Sequence, residues 1–506
     1  MENVKEIIDL METPLKQDID LITKAFDFAQ TIHQGQKRFS GEPYFIHPFN
    51  TAKILANIGM SSVVISAGLL HDCLEDGQVQ EEKLKKEFGE EIFFLVQGVT
   101  KLGKLKYRGV ERHRESLRKL FAAISQDIRV IIIKLADRLH NMQTLKYVLE
   151  HKQQRIALET LEIYVPIAYR LGIRKLSREL EDLAFPFVYP KEYEKTKDLL
   201  KTKSKEDLHK LDKFQKSIKK ALAKKGIVKF QVDYRIKTLY SFYKKLERKD
   251  WNVEEIYDVS ALRIIVPEIQ DCYKILGIIH GIWRPLPGRI KDYISFPKPN
   301  NYQALHTTVF TGYGNVVEIQ IKTKKMHQEA EYGIASHILY KDKENIKKKK
   351  IDNFLWIKQL LPKKIFFSKQ KEEKDKEKVS NDIPVWIKEL VEYQQSSKED
   401  SEKDIKDDFF QQRIFVFTPK GDVVDLPINS CPVDFAYNVH TDIGNHIAGA
   451  KVNGKMVSLE TKLQNGDIVE ILTKKEAKPS RKWLEHTKTT TARKHIRAAL
   501  LKNTTS

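Results

Sequence analysis

The sequence has few cysteines and no segment typical of a membrane anchor. Only three of its 506 residues are cysteine, Cys73, Cys272 and Cys431, and no two of them have CxxC spacing. This argues against a disulfide framework and against a thiolate zinc site, and it favours a reducing compartment. The N-terminal residues lack the apolar core of a signal peptide, and no run of about 18 apolar residues occurs anywhere. We therefore expect a cytoplasmic protein.

Acidic residues are also fewer than basic ones, 69 against 89, which gives a net charge of +20. Such an excess is compatible with nucleic acid, ribosomal RNA or phosphorylated small molecules as partners. Much of it is lysine scattered through helical stretches, where it commonly only solvates a surface. The chain is too long for one core, and its hydrophobic content of 41% is enough for several globular domains.

Changes in the hydrophobic pattern predict a multidomain protein of five segments. Residues 1–195 repeat apolar residues at three-four spacing, which predicts an all-α domain. In 196–345, connecting helices lead into β-branched runs separated by helical pieces, which predicts an α/β domain. Charge runs such as KQKEEKDKEK make 346–410 a predicted solvated linker. Residues 411–475 predict a small β-grasp domain, and 476–506 predict the basic start of a helical domain.

Four residues of metal-binding type follow apolar stretches in the helical domain. They are His47 in PYFIHPF, His71 and Asp72 in LLHDC, and Asp137 in IIIKLADRLHN. The apolar stretches should anchor three helices in a core, so that these side chains converge. Imidazole with carboxylate suits zinc, manganese or iron. Glu75 and Asp76 lie about one helical turn further on, where they can act on a water nucleophile rather than bind the ion.

The order of these motifs resembles a known enzyme family. The pattern H…HD…D is similar to that of HD-domain phosphohydrolases, and HQGQKRFSGEPYFIHP, HDCLEDG and LVQGVTKL resemble the hydrolase domain of long RelA/SpoT-type enzymes. These enzymes make and destroy ppGpp and pppGpp. The resemblance implies a Mn²⁺ ion at the four ligands, removal of pyrophosphate from the ribose 3′ position, and Glu75 as acid/base assisted by Asp76. The guanine nucleotide would be held by Arg38, Ser40, Asn141 and Thr144.

A second constellation lies in the predicted α/β domain. Asp258 stands at the start of one strand, and Glu318 lies within another with Gln320 on the same face. Two such carboxylates can hold Mg²⁺ against a triphosphate, although alone they could equally be solvent-facing strand residues. Donors for phosphate oxygens are supplied by Arg235, Lys237, Lys244, Lys245, Arg263, Lys291 and Lys298. A loop held by prolines adds Asn301, Tyr302 and His306.

This stretch resembles the synthetase domain of the same family, which transfers pyrophosphate from ATP to the 3′-hydroxyl of GDP or GTP. The resemblance implies that Asp258 binds magnesium and that Glu318 binds it or acts as general base. ATP would be clamped by Arg235, Lys237, Ser241, Lys245 and Arg263. Tyr302 would stack on guanine, and the other predicted nucleotide contacts are Lys291, Lys298, Asn301, His306 and Gln320. The sequence RIKD at 289–292 matches the basic form found in bifunctional members.

The segment 413–473 is similar to a TGS domain, with Asn453-Gly454 at a two-residue hairpin turn. The resemblance implies that His440 contacts the 3′ end of uncharged tRNA on the ribosome. A surface histidine in a turn is the alternative. The family's zinc-finger and ACT-type domains are missing from the sequence. We therefore expect a truncated or naturally short member, and truncation is favoured because we expect the last helix to have no partner.

The sequence therefore predicts a bifunctional (p)ppGpp synthetase and Mn²⁺-dependent 3′-pyrophosphohydrolase. The alternatives are a hydrolase with a decayed synthetase, and an adaptor that binds ribosome or tRNA. We expect nucleotide in one site to bias the other through the helical connector around 176–226. Departures from the family pattern at Phe39, Gly77, Gln97 and Lys322 leave nucleotide preference and relative rates open.

Overall fold

The computed structural model describes residues 2–75, 79–103, 127–253, 256, 260–297, 302–311, 316–333, 413–419, 423–464, 466–474 and 476–504. The chain divides into two compact units. Unit 1 comprises 1–289 and 307–396, and unit 2 comprises 290–306 and 397–506. The predicted linker at 346–410 lies outside the described residues. Among the helices in the described ranges, none combines the length and the apolar character needed to cross a membrane.

The first part of unit 1 is helical, as predicted, and its described residues up to 224 contain no strand. Its α-helices are α1 Lys5–Ile8, α2 Lys16–Ile32, α3 Ile46–Asn57, α4 Ser62–Leu70, α5 Glu81–Gly103, α6 Ile128–Gln143, α7 Glu150–Glu159, α8 Val165–Arg170, α9 Arg174–Val188 and α10 Pro190–Lys224. A 3₁₀ turn, Leu145–Tyr147, follows α6, and a π-helical turn, Thr160–Tyr164, joins α7 to α8.

Helix α4 lies at the centre of this helical part because nearly all its residues are apolar and buried. A Cβ added at Gly68 would lie 2.4 Å from Leu55 Cδ1, so this glycine allows α3 and α4 to approach closely. Helix α3 carries His47 in its first turn, and α4 ends at His71. The close packing of these two helices therefore sets the distance between the two predicted ligands.

Helix α10 runs unbroken from the first turn at Pro190 to Lys224, and Gly226 follows its end with φ 76°. The amphipathic helix that the sequence predicts at 206–226 is the second half of this helix. The domain boundary predicted between 195 and 196 lies inside it. The composition of the sequence therefore changes near residue 195 although the backbone there is continuous helix.

The α/β part follows, as predicted. Its strands are β1 Gln231–Ile236, β2 Ser260–Val266, β3 Lys291–Asp292, β4 Leu305–Phe310 and β5 Val316–Thr323, and its helices are α11 Leu239–Arg248, α12 Ile269–Ile282 and α13 Lys324–Tyr332. In unit 1 the strand order is β1-β2-β5-β4. Strand β1 is antiparallel to β2, and β2 is parallel to β5. In unit 2, β3 pairs antiparallel with the first two residues of β4.

The C-terminal part of unit 2 has the predicted small β-rich architecture. Its elements are β6 Arg413–Phe417, β7 Val423–Pro427, α14 Pro432–Val439, α15 Thr441–Asn445, β8 Ile447–Val452, β9 Lys455–Val457, β10 Val469–Thr473, α16 Trp483–His486 and α17 Thr490–Thr504. Strands β10-β8-β9 form one antiparallel sheet, and β6 pairs with β7. Asn453 and Gly454 have φ values of 52° and 80°, which confirms the two-residue turn between β8 and β9.

The last helix has a partner, so the expectation that it has none is wrong. Ala492 and Ile496 of α17 lie in one buried cluster with Val433 and Ala436 of α14. The buried carboxylate of Asp434 also accepts hydrogen bonds from the start of the α17 segment. The sequence missed this packing because it depends on two small stretches far apart in the chain.

Candidate functional site

Three helices bring the predicted metal ligands together in unit 1. His47 lies in the first turn of α3, His71 directly follows α4, and Asp137 lies in the middle of α6. All three are buried, with exposed fractions of 3%, 2% and 4%. One ligand atom from each lies within 4.8 Å of the other two. The predicted convergence of these residues is present in the structure.

Asp72 lies at the same point. Its Oδ1 is 3.1 Å from His71 Nε2, and its Oδ2 is 3.5 Å from His47 Nε2. His47 Nε2 is also 3.2 Å from Asp137 Oδ1. The Nε2 atoms of both imidazoles therefore lie among the carboxylate oxygens of Asp72 and Asp137, and His71 Nε2 is 4.0 Å from Asp137 Oδ1.

The hydrogen bonding of His71 tests whether these residues fit a cation. Its Nδ1 lies 2.7 Å from the carbonyl oxygen of Gly68, which can only accept, so Nδ1 carries the proton. In the neutral ring, Nε2 then presents its lone pair, and it is buried with no hydrogen-bond partner in the described part of the chain. Two imidazoles and two carboxylates are a suitable donor set for a transition-metal cation. The site therefore fits a divalent metal ion.

Electrostatics keep these groups in the states that bind metal. Burial lowers the pKa of His47, which favours the neutral imidazole. Burial alone would raise the pKa of Asp137, but the Lys134 ammonium and His47 hold it well below its usual range. The pKa of Asp72 is also lowered, because His71 and His47 outweigh its burial. Both carboxylates are therefore ionised at neutral pH.

Three neighbours of the ligands were not identified from the sequence. Lys134 Nζ is 2.6 Å from Asp137 Oδ2, and the Tyr44 hydroxyl donates to Asp72 Oδ2 at 3.0 Å. His140 Nδ1 is 2.8 Å from His47 Nδ1. Lys134 and His140 both stand one helical turn from Asp137, so the helical period of α6 was the available signal.

Two of the four predicted hydrolase nucleotide contacts, Arg38 and Asn141, lie beside this centre. Arg38 Nη2 donates to Asn141 Oδ1 at 2.8 Å, and Asn141 Nδ2 donates to Asp137 Oδ1 at 2.5 Å. Thr144 caps the end of α6, and its hydroxyl donates to the carbonyl of His140. The Ser40 hydroxyl donates to Glu42.

Of the two predicted acid/base residues, Glu75 lies within the described part of the chain. Glu75 is exposed, and its backbone N–H donates to the carbonyl oxygen of Asp72 at 3.2 Å. It therefore lies on the turn that carries His71 and Asp72. Asp76 lies outside the described residues.

The second site is built on β2 and β5. Glu318 is opposite Ala261 in the parallel register, and Gln320 Nε2 donates to Glu318 Oε1 at 3.1 Å. The two side chains therefore share a face, as predicted. Asp258 lies outside the described residues, three positions before Ala261, so its contact with a metal stays a prediction.

Predicted ATP contacts surround these strands. Arg263 on β2 is opposite Asp233 and Gln320, and its Nη2 is 3.6 Å from Asp233 Oδ2. Ser241 lies in the first turn of α11, where its Oγ accepts from Thr238 Oγ1 at 2.9 Å. The other predicted ATP contacts in unit 1 are Lys237 before α11, Lys245 on α11, and Arg235 on β1. The side chain of Arg235 lies outside the described part.

Unit 2 holds the predicted acceptor-side residues. The Tyr302 hydroxyl is 2.8 Å from His306 Nε2, and Lys291 is opposite His306 in the β3–β4 register. The ring of Tyr293 packs edge-on against His306 and Tyr302. Lys298 and Asn301 lie outside the described residues. Three predicted contacts are thus neighbours in this segment.

His440 is exposed at the start of α15. Its Nδ1 accepts from the N–H of Asp442 at 3.2 Å, so the ring caps this short helix. The surface turn that the sequence left as an alternative is therefore present, and contact with tRNA stays a prediction.

The helical connector contacts the α/β part of unit 1. Asp182 of α9 accepts from the N–H of Tyr240 at 3.0 Å and so caps α11. Arg178 of α9 forms an ion pair with Glu331 of α13, whose Oε1 is 3.8 Å from Arg263 Nη1. Helix α9 therefore contacts the start of α11 and an acidic residue beside Arg263, and coupling between the two sites stays a prediction.

Three family models agree with this architecture. A family model described as an HD domain matches 25–174, a region found in RelA/SpoT proteins matches 234–345, and a TGS domain model matches 414–473. A solved structure of the small alarmone synthetase 2 from Bacillus subtilis is 25% identical, with a TM-score of 0.23, covering 39% of this chain and 91% of that one.

Curated relatives match nearly the whole chain, including one from Aquifex aeolicus and one from Myxococcus xanthus. The guanosine-3′,5′-bis(diphosphate) 3′-pyrophosphohydrolase of Aquifex aeolicus is 43% identical over 505 residues, 99% of this chain and 67% of that protein. The GTP pyrophosphokinase of Myxococcus xanthus is 43% identical over 486 residues, 95% of this chain and 60% of that protein. The chain thus spans about two thirds or less of these relatives' length. From these matches, the chain belongs to the RelA/SpoT family.

Proposed function

We propose that the chain is a bifunctional alarmone enzyme. It transfers pyrophosphate from ATP to the 3′-hydroxyl of GDP or GTP, and it hydrolyses (p)ppGpp to GDP or GTP and pyrophosphate. The observation that carries the hydrolase proposal is the convergence of His47, His71, Asp72 and Asp137 from three helices. Relatives named for each activity support both halves.

In the hydrolase, the four ligands hold a divalent cation, for which we propose Mn²⁺. Such a cation lowers the pKa of a coordinated water and neutralises charge on phosphate oxygens. Lys134 and Tyr44 each hold one oxygen of a ligand carboxylate, which limits how that carboxylate can turn. Glu75 moves the proton from the attacking water to the ribose 3′ oxygen, as the bond from phosphorus to that oxygen breaks. Asp76 assists this transfer.

In the synthetase, Asp258 and Glu318 hold Mg²⁺, and Glu318 is also the candidate general base for the acceptor hydroxyl. Gln320 donates to Glu318 and so orients its carboxylate. Arg263 and the lysines near α11 supply positive charge for the triphosphate. We propose that Tyr302 stacks on guanine. Catalysis of this kind depends mainly on positioning and charge neutralisation.

We propose two further properties that rest on family resemblance. The TGS domain contacts uncharged tRNA on the ribosome, and the exposed His440 is the candidate contact. The chain acts in the cytoplasm, where its nucleotide substrates are made. The net charge of +20 favours an RNA partner without identifying it.

Two single variants test the bifunctional proposal. Asp72→Ala should abolish (p)ppGpp hydrolysis and leave synthesis from ATP and GDP measurable. Glu318→Ala should do the reverse. Products resolved by anion-exchange chromatography report both reactions, with Mn²⁺ and Mg²⁺ varied separately. A chain whose synthetase has decayed would hydrolyse (p)ppGpp but make none even before substitution, and an adaptor would catalyse neither reaction.

A further inference from the structure

Arg38 reaches across from the loop between α2 and α3 to helix α6. Its Nη1 donates to His140 Nδ1 at 3.0 Å, and its Nη2 donates to Asn141 Oδ1 at 2.8 Å. The loop is closed at its base, since the N–H of Arg38 donates to the carbonyl of Glu42 and its carbonyl accepts from the N–H of Gly41, both at 2.9 Å. The guanidinium is thus held between a fixed loop and the metal-site helix.

Both acceptors of Arg38 lead on to a predicted metal ligand. His140 Nδ1 is 2.8 Å from His47 Nδ1, and Asn141 Nδ2 donates to Asp137 Oδ1 at 2.5 Å. One guanidinium is therefore connected through one intermediate side chain to each of two ligands. These ligands lie on different helices, α3 and α6.

The chemistry of arginine fixes the protonation pattern along the first path. A guanidinium has only donors, so His140 Nδ1 must be an acceptor. The contact between the two imidazoles then requires that His47 Nδ1 donates to the same atom. In a neutral ring this leaves the lone pair on His47 Nε2, which faces carboxylate oxygens of Asp137 and Asp72. That arrangement is unfavourable unless a cation lies among these atoms.

We infer that Arg38 is a positioning residue of the metal centre, which selects the metal-binding tautomer of His47 through His140 and orients Asp137 through Asn141. This role is additional to the proposed contact of Arg38 with guanine, and it rests on the proposed metal-dependent hydrolase. It makes the affinity for the cation depend on Arg38 before any nucleotide binds.

The direction in which replacing Arg38 changes the affinity for the cation separates this positioning role from a simple effect of charge. The positive charge of Arg38 repels a cation, so its removal should tighten metal binding if charge alone matters. Loss of a hydrogen-bonding partner behind metal ligands typically weakens binding by about 10- to 100-fold. The two explanations therefore predict changes in opposite directions.

The test is the affinity of the nucleotide-free Glu318→Ala protein for Mn²⁺ alone, measured by electron paramagnetic resonance of the free ion. The Glu318→Ala background removes the proposed Mg²⁺ site, which would otherwise also bind Mn²⁺. Arg38→Gln should weaken binding by about 10-fold, the lower end of this range, because Arg38 reaches each ligand through one intermediate side chain. Arg38→Lys should also weaken it, because one ammonium cannot replace the planar fork that bonds two acceptors. The control Lys37→Gln removes the same charge from the neighbouring exposed residue and should leave the affinity unchanged.

Equal or tighter Mn²⁺ binding by folded Arg38→Gln would overturn the inference, and circular dichroism establishes that the variant is folded. If Arg38→Gln does not fold, the Mn²⁺ affinity of Arg38→Lys is measured instead. Equal or tighter binding by that variant would overturn the inference. Failure of the proposed hydrolase looks different, because the Glu318→Ala protein with Arg38 intact would then bind no Mn²⁺.

Discussion

Asp434 should stabilise the packing of α17 on the TGS region, and its replacement should destabilise that packing. The residue is fully buried, and its carboxylate accepts hydrogen bonds from the N–H groups of Cys431, Lys488 and Thr489 and from the Thr489 hydroxyl, at 2.7–3.0 Å. At about 1 kcal/mol net for each bond, Asp434→Ala should cost roughly 4 kcal/mol. Asp434→Asn keeps one acceptor but turns an NH₂ group towards the N–H of Cys431. It should cost about 2 kcal/mol.

Hydrogen exchange of the α17 amides, followed by mass spectrometry, measures this local stability. The three bonds to the α17 segment are worth about 3 kcal/mol, which corresponds to about 10²-fold faster exchange in Asp434→Ala. Asp434→Asn keeps Oδ1, which accepts all three of these bonds, so it should accelerate α17 exchange much less. The control is Asp442→Asn, since the Asp442 side chain is 75% exposed and should contribute less than about 0.5 kcal/mol. Acceleration of only a few-fold in Asp434→Ala would refute the view that this carboxylate holds α17.

Two further predictions concern unit 1. Burial raises the pKa of Glu181 to about 7, so the stability contributed by its protonated form should be lost as pH rises from about 4.5 through 7, at a cost of about 3 kcal/mol. Thermal unfolding at pH 5 and pH 8 should show this loss, and Glu181→Gln should remove it. The control Glu162→Gln, at an exposed residue, should retain it. An unchanged pH dependence in Glu181→Gln would contradict the assignment. Gly68→Ala should cost about 1–3 kcal/mol in urea unfolding and weaken Mn²⁺ binding, because the new methyl group meets Leu55. Gly277→Ala, which has open space in a helix, should instead be neutral or stabilising, and equal costs for both variants would contradict the packing argument.

The metal ligands could be predicted from the sequence because residue type and apolar context both point to them. His47, His71 and Asp137 each border or interrupt a buried helix, and the structure brings them together. The supporting contacts could not be predicted in the same way. Whether His140 meets Arg38 or Tyr44 meets Asp72 depends on side-chain directions across separate elements.

Packing between separate elements also explains where the observed fold differs from the predicted one. The sequence pattern changes near residue 195, yet α10 continues to Lys224, because local composition does not report where a helix is supported by packing. The partner of α17 was missed since its contact with α14 joins residues about 55 apart in the chain. Local signals such as Asn453-Gly454 were read correctly because the turn depends only on its own residues.

Anomalous diffraction from crystals soaked in Mn²⁺ tests the central claim most directly. The account predicts one strong peak within bonding distance of His47 Nε2, His71 Nε2 and the carboxylates of Asp72 and Asp137. A peak elsewhere in the helical part of unit 1, or no peak with these four side chains turned apart, would contradict it.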